Sequence, residues 1–140
     1  MRHLRVFLVA ASFAGFALMS LQAASVKVIA NPSISDSAVS MDDLRSVFLQ
    51  EKDSLGGSHV EAVMEKGGPA HEAFLKEYLD KSDSALQSYY RSLVFTGKGS
   101  MPKTVASDAE MVAYVSKTKG AIGYIGGDAA ADGVKTLQVK

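Results

Sequence analysis

The chain has 140 residues, 15 basic and 15 acidic, with 47% hydrophobic side chains and no cysteine. Without cysteine there are no disulfides and no thiolate chemistry. The even charge balance excludes a polybasic nucleic-acid or membrane surface, and the length fits one domain.

The first residues read as a secretory signal. Arg2 and Arg5 form a basic start, Val6 to Leu21 is an apolar run, and Leu21-Gln22-Ala23-Ala24 offers a small-residue cleavage site. Sixteen residues with Ser12 and Ser20 among them are short for a membrane span. Residues 1–23 are therefore expected to be a signal peptide, and residues 24–140 a single soluble domain, periplasmic or secreted. Removing Arg2 and Arg5 leaves 13 basic residues against 15 acidic, a net charge of −2.

Beyond the signal, strand and helix patterns alternate, which argues an α/β domain. Val26 to Ala30 is a β-rich run stopped by Asn31-Pro32. Ser40 caps a helix whose start carries Asp42 and Asp43, on the side that the helix dipole favours. Met41, Leu44, Val47 and Phe48 form its apolar face. Ser54 to Ser58 reads as a loop and His59 to Met64 as a second strand. Gly67-Gly68-Pro69 breaks the chain, and Pro69 suits a first helical turn because its missing N–H would be unpaired there. Phe74, Leu75, Tyr78 and Leu79 face inward on the helix that follows.

Ser82 caps the next helix, with Leu86, Tyr89, Tyr90, Leu93 and Val94 at helical spacing. A loop runs from Gly97 to Ala106. Ser107 and Glu110 form a capping box for a helix from Asp108 to Thr118, ended by Gly120. Ala121 to Ile125 is a short buried strand, and Val134 to Val139 is the last strand. The expected core holds Ile29, Leu44, Phe48, Phe74, Leu75, Tyr78, Leu86, Tyr90, Leu93, Val112, Val115 and Ile122.

Phe95 to Pro102, the capped helix and Gly120-Ala121-Ile122-Gly123-Tyr124-Ile125 follow one another in an order similar to the second lobe of phosphate-type ABC-transporter periplasmic substrate-binding proteins. Val28 to Pro32 resembles the strand that enters that lobe. Met41 to Leu49 is similar to the family's Leu-x-x-Ile-Phe/Tyr-Leu-Gly helix, with Gln50 where glycine is usual. The resemblance implies a single lobe of a type II periplasmic-binding-protein-like fold, a mixed sheet flanked by helices. It also implies a substrate-binding protein without enzymatic activity or cofactor, and a small oxyanion such as phosphate as ligand. A transporter, a sensor or a second protein copy would complete the cleft.

In the family, an Arg-x-x-Gly-Ser-Gly-Thr segment holds the anion at a helix N-terminus, where orphan N–H groups and the dipole favour negative charge. Aligned on this chain, Gly68, Pro69, Ala70 and His71 take the places of Gly, Ser, Gly and Thr, and the arginine falls near Met64 and Glu65. The resemblance thus keeps the scaffold and loses the arginine, both hydroxyls and one N–H.

The candidate ligand-binding residues are Lys66, Gly67, Gly68 and His71, together with Lys98, Gly99 and Ser100. His71 either donates to an anion, with Lys66 supplying charge, or is an ordinary solvent-facing helix residue. As an anion ligand it would strengthen binding as pH falls through about 6.5. Lys98, Gly99 and Ser100 either form an anion nest of backbone N–H groups or simply connect two elements. Tyr124 either edges a cleft or packs its ring in the core with its hydroxyl at the surface.

His59 and His71 lack metal-ligand spacing. Ser100 and Ser107 lack the Gly-x-Ser-x-Gly setting of an esterase nucleophile. The expectation is a non-enzymatic, weakly anion-binding domain. The alternative is an interaction or sensory module that kept the fold and lost the ligand.

Overall fold

The computed structural model describes residues 26–140; the signal peptide and its cleavage site lie outside the described residues. A six-stranded mixed sheet organises the chain. Its strands are β1 (Val26–Ala30), β2 (Ala38–Val39), β5 (Glu61–Glu65), β6 (Lys103–Val105), β7 (Ala121–Gly126) and β8 (Lys135–Val139), in the spatial order β2-β8-β1-β7-β5-β6. β1 runs antiparallel to both its neighbours, with Val28 opposite Tyr124 on one side and Leu137 on the other. The remaining pairs are parallel.

Strand alternation sends side chains to two separate cores. Val28, Ala30, Met64, Ile122 and Tyr124 face a large core with α1 (Met41–Phe48), α2 (Pro69–Phe74) and α3 (Asp83–Phe95). Ile29, Val63, Ala121 and Ile125 face a smaller one against Met111 and Val115 of α4 (Asp108–Lys117). The single lobe with helices on both faces of a mixed sheet is thus the observed architecture.

The three serine caps hold. Ser40 Oγ accepts from Asp43 N at 3.0 Å, Ser82 Oγ from Ala85 N at 3.2 Å and Ser107 Oγ from Glu110 N at 3.2 Å. Glu110 reaches one residue further back than a capping box requires, accepting from Ala106 N at 2.8 Å. Gly120 closes α4 at φ +79°, and a Cβ there would stand 2.5 Å from the His59 carbonyl oxygen. At Gly123 a Cβ would collide with Met111 Sδ, so the missing side chain lets α4 lie close on β7.

Several readings need correction. Ser54 to Ser58 is not a plain loop: β3 (Ser54–Leu55) and β4 (Ser58–His59) pair as a hairpin turned by Gly56 and Gly57. The helix after Pro69 changes hydrogen-bonding pattern, continuing past Phe74 as a π-helical turn over Leu75–Leu79. Lys103–Val105 is an edge strand inside the expected loop. Leu93 and Val112 are only half-buried, and Val94 is 48% exposed, because the C-terminal end of α3 runs past the sheet. The other expected core residues are buried.

Gln50 occupies the family's glycine position at φ +58°, which is why glycine suits it. Its amide compensates by clamping Ser100, donating to its carbonyl at 2.6 Å and accepting from its N–H at 3.0 Å.

Candidate functional site

Tyr124 lies on the large-core face of β7 and is fully buried. Its ring stacks on Phe74 at 4.0 Å between centroids, 9° from parallel. Burial pushes its hydroxyl well above the ordinary tyrosine range. That hydroxyl is not at the surface. It accepts from Glu65 N at 2.8 Å and lies 2.5 Å from His71 Nδ1. His71 Nε2 faces Asp83 Oδ1 at 2.7 Å. With the imidazole proton on Nε2, the tyrosine donates to Nδ1 and the histidine donates to Asp83. This chain of hydrogen bonds ties β7 to the end of β5, the first turn of α2 and the start of α3.

His71 is therefore neither of the things the sequence offered. It is 2% exposed and both ring nitrogens are engaged. The expectation of an anion affinity governed by His71 is corrected: the imidazole is a brace beneath the site.

The site itself is a pocket of about 300 Å³ where the first turns of α2 and α4 converge on the end of β7. Gly67 and Gly68 line it, as does Ser107. Its walls also hold two acids that the sequence reading treated only as a wrong charge and a helix-start residue. Glu65 is 4% exposed, and its Oε1 has no hydrogen-bond partner within the protein. Asp108 stands beside it and accepts from Gly126 N at 3.1 Å. Burial, reinforced by a hydrogen bond and by repulsion from Asp108, pushes the Glu65 carboxyl up to about 8. At neutral pH Glu65 keeps its proton.

Lys66 is exposed beside this pocket, and its backbone N–H is taken by Val105 O at 2.9 Å. Lys98, Gly99 and Ser100 are not brought to it. Lys98 and Ser100 line a separate pocket of about 360 Å³ near Gln50 and His59. The expectation of free donors there is also corrected. The N–H groups of Gly97, Lys98 and Gly99 bond to Val94 and Leu93 carbonyls at 3.1, 2.9 and 3.2 Å, and that of Ser100 to Gln50. Among the described residues no group of three or more His, Asp or Glu is placed to hold a metal.

The fold is that of phosphate receptors. The model superimposes on an ABC-type phosphate transport receptor from Vibrio cholerae with a TM-score of 0.64 at 15% identity, over 82% of this chain and 46% of that one. PstS from Borrelia burgdorferi matches with a TM-score of 0.63 at 17% identity, over 83% and 47%. A Clostridium perfringens protein, described as a phosphate ABC-transporter substrate-binding protein and holding phosphate, matches at 0.63 and 16%, over 82% and 44%. This chain spans less than half the length of each. No protein-family model matches it, and no curated protein matches it in sequence.

The buried hydroxyl gives a direct test. Tyr124→Phe keeps the stacked ring but strips Glu65 N of its acceptor and His71 of its partner. Urea unfolding should show a loss of about 1–3 kcal/mol. A change within about 0.5 kcal/mol, the size of ordinary surface substitutions, would contradict the bracing role.

Proposed function

We propose that this chain is an exported, non-enzymatic solute-binding domain that holds a small oxyanion weakly in the pocket between the α2 and α4 starts. The observation that carries this reading is the convergence of two helix beginnings on Gly67 and Gly68, within a fold whose structural neighbours are phosphate receptors. First-turn N–H groups have no acceptor inside their own helix and favour negative charge.

Three features keep the binding weak. Pro69 supplies no N–H, no basic side chain lines the pocket, and the two carboxyls oppose an anion. One lobe also offers only half of an enclosing cleft, so a transporter component, a sensor or a second copy would be needed to desolvate the ligand. Export rests on the signal-like residues 1–23. Mass spectrometry of the exported protein should find Ala24 at its N-terminus, and a retained Met1 would refute it.

Sulfate is a suitable probe because it stays a dianion across the relevant range. Titration calorimetry should give a dissociation constant on the order of a millimolar near neutral pH. Glu65 is neutral below its raised value and charged above it, so sulfate affinity should fall as pH rises through about 8, on the order of tenfold. Glu65→Gln should flatten that dependence. Binding that is tight and indifferent to pH would overturn the assigned pocket; no binding at any pH would favour an interaction module.

A further inference from the structure

The pocket contains a demand that an oxyanion does not meet. Glu65 Oε1 is buried, faces the pocket and has no donor within the protein. When Glu65 holds its proton and donates it to Asp108, that oxygen is a carbonyl acceptor, and the pair carries one negative charge on Asp108. A buried acceptor left empty costs stability, so a ligand that fills it gains by doing so. An anion alone would leave Oε1 empty and sit beside the Asp108 charge. On the other side of the pocket, the first turn of the ten-residue α4 presents N–H donors at Ser107 and Asp108. An amine alone would leave those unused. A volume of about 300 Å³ corresponds to roughly ten water molecules, room enough for a small amino acid.

We propose that the ligand is a small zwitterion, its ammonium on the Glu65–Asp108 carboxyl pair and its carboxylate at the first turn of α4. This rests on the oxyanion reading above and specifies it, the oxyanion being a carboxylate. One ammonium matches the single negative charge of the pair, and its three donors reach both Oε1 and Asp108.

Three matched probes separate the parts: L-alanine, propionate without the ammonium, and ethylamine without the carboxylate. Calorimetry on the mature chain at neutral pH should show L-alanine binding at least about tenfold tighter than either fragment. Glu65→Met, which removes the buried acceptor, should abolish that preference and leave propionate within about twofold of its wild-type affinity. Glu65→Gln keeps an acceptor oxygen and should retain the preference. Asp108→Asn should weaken L-alanine and ethylamine together. Propionate binding as tightly as L-alanine in the wild type would overturn the zwitterion while leaving the oxyanion reading intact. If propionate and sulfate both fail to bind, the oxyanion reading falls and the zwitterion with it. Because the three probes are compared on the unaltered chain, the result stands even if a variant does not fold.

Discussion

A phenol buried in the middle of an apolar sheet face must find partners for its hydroxyl, and that requirement at Tyr124 governs the rest of the structure. A hydroxyl without them would cost of order 1–3 kcal/mol. The partners come from two other elements: the backbone N–H at the end of β5 and the imidazole of α2. The imidazole in turn needs Asp83 at the capped start of α3. Satisfying one oxygen therefore fixes where three elements sit relative to β7. The stacked Phe74 ring holds the same α2 turn from its apolar side.

The brace has a consequence for chemistry. By drawing Glu65 N to Tyr124, it fixes the backbone from which the Glu65 side chain enters the pocket beside Asp108. Two carboxyls held together out of water cannot both ionise cheaply, so they share a proton. The phosphate-receptor fold is kept, yet the wall of its pocket is acidic and carries no arginine. A fold of this kind fixes where a ligand sits without fixing which ligand, because specificity resides in the few side chains lining the site.

Much of the architecture is legible in the sequence because it depends on local chemistry. Ser40, Ser82 and Ser107 cap helices through contacts three residues long, and Gly120 ends α4 by its own φ angle. The site is less legible because its contacts join distant residues. His71 reads as a surface residue since its partners lie 53 and 12 positions away. Asp108 reads as a helix-start acid, and only the crossover of β5 beside β7 brings Glu65 to it. The Gly97–Ser100 loop reads as a nest because neither Gln50 nor the carbonyl of Leu93 can be placed against it without the fold. Asn31 reads as a breaker, yet its buried amide donates to the carbonyls of Val115 and Ser116 at 2.8 and 3.2 Å, closing the end of α4.

The account turns on the state of one carboxyl group, and that state is directly measurable. Carbon-13 NMR of the glutamate side-chain carboxyls, assigned by Glu65→Gln, reports the titration of Glu65 in the folded protein. The account predicts a midpoint near about 8, with the other glutamates titrating in the ordinary carboxylate range. A Glu65 midpoint near about 4.3, the ordinary glutamate value, would contradict it. The carboxyl would then be solvated, and the pair would not share a proton at neutral pH.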